Sequence, residues 1–132
     1  MNFDRELISI GNPMEKVVGF SRAVRVGPFI SVGGTAPVGP DGKTVGIGDV
    51  AAQTRQCIEI IKAAFEQVGS GLHDVVRTRV ILTNIDDWKA AMRARSIPSW
   101  RLIGSSIRSG WWSWKRMPSS PAGLVKLSMK FR

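Results

Sequence analysis

Residues 49–84 read DVAAQTRQCIEIIKAAFEQVGSGLHDVVRTRVILTN. Within this stretch Val50, Thr54, Cys57, Ile58, Ile61, Ala64, Phe65 and Val68 recur at three- and four-residue spacing, the repeat of a helix with one apolar face. Asp49 stands where an N-cap belongs, and Gly69 where a left-handed C′ residue ends a helix. From Asp74 to Asn84 the period drops to two. Val76, Thr78, Val80 and Leu82 fall on one face, and Arg77, Arg79, Ile81 and Thr83 on the other. An amphipathic helix that runs straight into an alternating strand predicts an α+β fold, with the helix packed on a sheet.

The flanking sequence extends that sheet. Ser21–Val26 alternates, and after the Gly27-Pro28 turn Phe29–Val32 continues as apolar strand, which predicts a β-hairpin. Gly33-Gly34 inside a strand predicts a bulge or a close backbone approach, and Pro40-Asp41-Gly42-Lys43 a turn. Asp86 is placed to cap a second helix from about Asp87 and Trp88, through the helix formers Ala90, Ala91 and Met92. The predicted order is ββαβα. A hairpin and one strand give two helices little to cover, so further strands are required after Met92.

Charge divides the chain at the same place. Residues 1–92 hold ten Lys/Arg and ten Asp/Glu, whereas residues 93–132 hold nine Lys/Arg and no acid, so the whole net charge of +9 lies in the tail. Trp100, Trp111, Trp112 and Trp114 lie there too, among Ser and Arg, with neither helix nor strand period over residues 95–116. The predicted organisation is one core, residues 1–92, followed by an atypical basic tail, residues 93–132. Two readings of that tail compete: a nucleic-acid-binding arm, in which Arg and Lys meet phosphates and Trp stacks on bases, or a segment read out of frame. Back-translation favours the second. Taking the third base of each codon with the first two of the next, Trp114-Lys115 must give Glu and Trp111-Trp112 must give Val. With G/C-rich codons, residues 96–120 then read as two Val-rich strands around an Asp-Pro turn.

The remaining composition is that of one small domain, since 132 residues with 43% apolar content can bury a single core. Cys57 is the lone cysteine, so no internal disulfide forms, and a cytoplasmic location is expected. Asp4, Arg5, Glu6, Glu15 and Lys16 interrupt any apolar leader, and no uncharged run approaches the length of a membrane span. One His, one Cys and dispersed carboxylates give no metal constellation and imply no cofactor. His73 reads as a surface or capping residue, and Cys57 as core. The glycines from Gly33 to Gly42 run into a hairpin turn rather than a helix, which excludes a phosphate loop. Asp86-Asp87 reads as a helix N-terminus, and Arg77 and Arg79, on one strand face with Ile81, as the border of a subunit interface or of a ligand cleft, the interface being favoured.

Residues 16–92 resemble the Rid family, also called YjgF or UK114, of reactive-intermediate imine and enamine deaminases. Four stretches carry the resemblance: Lys16–Val24, Val32–Gly42, Ala51–Ile61 and Asp74–Trp88. It implies a chorismate-mutase-like (YjgF-like) sheet with two helices packed on one face, assembled as a homotrimer with a ligand cleft at each subunit interface. It also implies hydrolytic deamination of 2-imino and 2-enamino acids to 2-oxo acids and ammonia. Two alternatives stand beside this: a non-enzymatic trimer that binds small carboxylates, and an RNA-acting protein of the endoribonuclease or translation-inhibitor type. The implied ligand-binding residues are Phe20, Ser21, Gly33, Gly34, Thr35 and Asn84. Phe20 stands where the family often has Tyr, and this chain has no Tyr. The family's carboxylate-binding Arg has no counterpart between Met92 and Arg95, and its last-strand Glu is absent as written, so no catalytic residue is assigned. The implied partners are a second and third copy of the chain and a small imino, enamino or keto acid, with nucleic acid only through the basic tail and no membrane.

Overall fold

The computed structural model describes residues 3–94 and the backbone of two further strands, Ser106–Ser109 and Val125–Phe131. The elements run β1 (Arg5–Ile8), α1 (Pro13–Val18), β2 (Ala23–Val26), β3 (Phe29–Thr35), α2 (Val50–Glu66), β4 (Val75–Leu82), α3 (Trp88–Arg93), β5 (Ser106–Ser109) and β6 (Val125–Phe131). They form one six-stranded sheet in the order β1-β2-β3-β6-β4-β5, antiparallel except where β5 joins β4. The fold is α+β, as expected, with α2 and α3 packed on one face of the sheet.

The long helix forms where its local signals agree. The Asp49 carboxylate accepts the Ala52 N–H at 3.0 Å, satisfying one of the free donors of the first turn. At the other end the Ser70 N–H donates to the Phe65 carbonyl at 3.1 Å and the Gly69 N–H to Glu66 at 3.3 Å, the paired bonds of a Schellman motif around Gly69 at φ +69°. Its buried stripe is Val50, Gln53, Thr54, Cys57, Ile58, Ile61, Ala64 and Phe65. These side chains meet Ile8, Ala23, Ile30 and Val32 from one half of the sheet and Val75, Val80 and Leu82 from the other. Gln53 and Thr54 are its polar members: the Gln53 amide donates to the Gly46 carbonyl at 2.9 Å and the Thr54 hydroxyl to the Val50 carbonyl at 2.8 Å.

The structure differs from the sequence reading in four places. Two elements, β1 and α1, precede the predicted hairpin. Helix α1 carries its own punctuation: the Asn12 side chain accepts the Met14 N–H at 2.9 Å, Pro13 opens the helix, and Gly19 closes it at φ +75°. Second, Val75 rather than Val76 is buried on β4. Val75 pairs with Phe131 and Arg77 with Lys130, so one extra residue bulges from β4 and turns Val76 out to 46% exposure. Third, Asn84 rather than Asp86 provides the cap. Its side chain accepts the Asp86 N–H at 3.2 Å and starts a single 3-10 turn, Ile85–Asp87, from which α3 continues. Fourth, β6 lies at the centre of the sheet, joining β3 to β4. Its residues, VKLSMKF, alternate apolar and polar, a strand signal in the frame as written. The two shifted-frame strands expected over residues 96–120 fall mostly outside the described residues.

Candidate functional site

The predicted bulge shapes the site. Along β3, Val32 pairs with Met129 but Thr35 pairs with Leu127, so three steps on β3 face two on β6, with the excess at Gly33-Gly34. Beside this bulge an open cleft of about 1010 Å³ is lined by Gly33 and Gly34, by Phe20, Ser21 and Arg22, and by residues 10–14 and Val18, at and just before α1. The far wall is the Ala36–Gly42 loop with Gln56 and Ile60 of α2. That loop is fixed from two sides. The Gln56 amide donates to the Val38 carbonyl at 3.0 Å, and the Val45 N–H to the Pro37 carbonyl at 2.8 Å. Its Asp41 carboxylate accepts the Lys43 N–H at 3.0 Å, as the predicted turn requires.

Of the six expected ligand positions, Phe20, Ser21, Gly33 and Gly34 share this cleft. Thr35 is fully buried behind it, donating from its hydroxyl to the Gly33 carbonyl at 3.1 Å. Asn84 is not among the lining residues; it acts as the cap between β4 and α3. Cys57 is core, as expected, and its thiol donates to the Thr35 carbonyl at 3.3 Å. The His73 side chain is 84% exposed on the turn before β4, a surface position as expected. No group of His, Cys, Asp and Glu suited to a metal ion occurs among the described residues.

Arg22 is the residue that sequence reasoning missed. Its place in an alternating stretch suggests an exposed strand position, but β2 begins only at Ala23, and Arg22 folds back under the bulge with 5% exposure. Its Nη1 donates to the Gly34 carbonyl and to the Thr35 hydroxyl, both at 3.1 Å, while its backbone carbonyl accepts the Gly33 N–H at 2.9 Å. The Phe20 ring lies over the guanidinium, 5.2 Å from centroid to Cζ, a cation–π contact that makes Phe20 part of the same cluster. Burial pushes the Arg22 pKa below the usual arginine value, and the negative charge of Glu15 opposes that shift. Glu15 is itself buried, with its carboxylate accepting the Ser9 hydroxyl and, at 3.3 Å, the Ile10 N–H.

The cleft therefore combines apolar walls, a strand bulge and a buried cation that keeps its proton at any working pH. The sequence model of the endoribonuclease L-PSP family matches residues 11–97, which hold α1, the hairpin, α2, β4 and α3. The chain belongs to that family. A RutC family protein of Pyrococcus abyssi is 36% identical over 84 residues, which cover 64% of this chain and 66% of that relative. The chain thus spans about two thirds of the length of such curated relatives. A solved structure of a YjgF/YER057c/UK114 family member from Mycobacterium tuberculosis superposes with a TM-score of 0.73 at 32% identity, covering 97% of this chain and 98% of that one. The structure of RidA from an Antarctic Psychrobacter gives a TM-score of 0.68 at 25% identity, over 85% of this chain and 86% of that one. The Rid/YjgF fold and family read from the four sequence stretches are those found.

Proposed function

We propose that this Rid/YjgF chain binds small 2-imino, 2-enamino or 2-oxo acids in the cleft beside Gly33-Gly34 and hydrolyses the imine. The observation that carries the reading is the convergence of Phe20, Ser21, Gly33 and Gly34, four of the positions that the family resemblance marks as ligand-binding, on one cleft. The reaction demands little of the protein. An enamine tautomerises to the imine, water adds to C2, and the C–N bond breaks to leave a 2-oxo acid and ammonia. The protein must hold the carboxylate and present C2 to water, which is a matter of orientation rather than of a strong nucleophile. The apolar lining, including Ile10, Val18, Val38 and Ile60, suits a short aliphatic side chain on the acid.

Self-association belongs to the same proposal. Leu7 and Phe29 stand on the sheet face away from α2 with 63% and 53% exposure, an apolar surface of the kind that subunit contacts cover. Phe20 favours a second reading, a trimer that binds the acids without turning them over, because it puts a ring without a hydroxyl where many family members have Tyr. The nucleic-acid reading rests on residues 93–132, whose side chains from residue 95 onward lie outside the described part. An L-amino acid oxidase that generates 2-iminobutanoate in place, with ammonia release followed against a blank, decides between the first two. Purified protein of verified intact mass should speed release at least tenfold over water. Saturable binding of 2-oxobutanoate with no acceleration would establish the second reading instead.

A further inference from the structure

We infer that Arg22 is the cation that receives the ligand's carboxylate, through the Nε–Nη2 edge of its guanidinium. This deepens the proposed function and rests on its premise that the cleft binds small acids. An arginine fork offers five N–H donors, and side-on pairing of Nε and Nη2 with the two oxygens of a carboxylate is its strongest geometry. Among the described residues the side-chain hydrogen bonds of Arg22 leave from Nη1, to the Gly34 carbonyl and the Thr35 hydroxyl. Those two bonds fix the plane of the guanidinium against the bulge and turn the opposite edge away from it. Nε is buried without a hydrogen-bond partner among the described residues, on a residue that lines the cleft and is nineteen-twentieths buried. A buried N–H of a cation left unpaired is costly, and a ligand oxygen would satisfy it.

The nearby acid does not fill that role. Glu15 acts on Arg22 through space, but its carboxylate is engaged by the Ser9 hydroxyl and the Ile10 N–H, and no ion pair joins it to Arg22 among the described residues. Glu15 thus offsets part of the charge of Arg22 without occupying its donor edge. The Phe20 ring over the guanidinium limits water on one side and leaves Arg22 as a directional anchor for an anion entering from the cleft. Arg22 would then supply the carboxylate contact for which the chain has no arginine after α3 in the family's pattern.

The test uses the full chain with 2-oxobutanoate and its uncharged amide as probes, and titration calorimetry as readout. The wild type should prefer the acid to the amide by roughly tenfold or more, the usual worth of a charge-assisted contact. Arg22→Gln should reduce that preference below about threefold while leaving amide affinity in place, and Arg22→Lys should keep part of it. A structural role alone would weaken both probes equally. Because Arg22 also pins the bulge, the wild-type protein gives a second readout: the Nε–H resonance of Arg22 should shift on saturation with 2-oxobutanoate. An acid that binds without moving that resonance, or with its preference intact in Arg22→Gln, overturns the inference and leaves the cleft reading standing. Failure of the wild type to bind the acid at all overturns both.

Discussion

The two faces of the sheet carry similar side chains under opposite conditions. On one, Ile8, Ala23, Val32, Val80 and Leu82 lie under α2 and α3 and are nearly inaccessible. On the other, Leu7, Phe29 and Val76 keep about half of their surface in water. An antiparallel sheet that faced solvent would place polar residues on that second side. The strands pair Leu7 with Val24 and Val26 with Phe29, so the apolar character crosses the strands rather than marking isolated residues. The difference teaches that the chain covers one face by itself and leaves apolar side chains exposed on the other, the face on which the proposed self-association would draw. The cleft lies at the rim between these regimes, where the bulge interrupts the ladder and Arg22 is drawn inside.

The sharpest way to break the comparison is to damage each face in turn. Phe65→Ala opens a cavity in the fully buried layer between α2 and the sheet and should cost about 3–5 kcal/mol of folding stability, read as a lower urea midpoint with an unchanged slope. Phe29→Glu with Leu7→Glu should act differently. The fold of each protomer should change by less than about 1 kcal/mol, because both side chains are already half exposed, whereas the sedimentation coefficient should fall to that of a single chain. Equal loss of folding in both variants, or a wild type that sediments as a monomer at all concentrations, would remove the distinction between the faces.

How far the sequence carried depends on whether a feature is local. Helix α2 was legible because cap, period and terminal glycine all lie within twenty-one residues and agree. The alternation of β4 was legible except at Val75 and Val76, where the bulge is set by pairing with β6, a strand some fifty residues away. Helix α1 was missed although Asn12, Pro13 and Gly19 announce it, because its six residues are too few to show a period. At the site, Gly33-Gly34 was readable as a bulge from composition alone. Arg22 was not, since nothing in its neighbours tells a charged residue at a strand's start from one folded beneath the next strand. Its burial follows from a contact between residues 22 and 34–35 that only the hairpin creates.

The smallest expected effect sharpens the comparison at the turn between α2 and β4, which serves the covered face alone. There the Asp74 carboxylate accepts the Gly71 N–H at 3.0 Å and the Ser70 hydroxyl at 2.9 Å. These bonds, the backbone one foremost, hold its pKa below the usual carboxylate value, with a lesser contribution from His73. A depressed folded-state pKa means that the unfolded chain binds the proton more readily. The stabilisation is therefore fully present above the unfolded pKa of about 3.9 and is lost as pH falls through the lower folded value. Asp74→Asn keeps an acceptor oxygen but not the charge, so it should lower the urea midpoint slightly at neutral pH, with solvent screening keeping the loss small. Below about pH 4 the gap between wild type and variant should close. Association should not change, since the turn does not contribute to the exposed face. A variant whose deficit persists undiminished at pH 2.5 would show that the lost interaction is one of shape rather than charge.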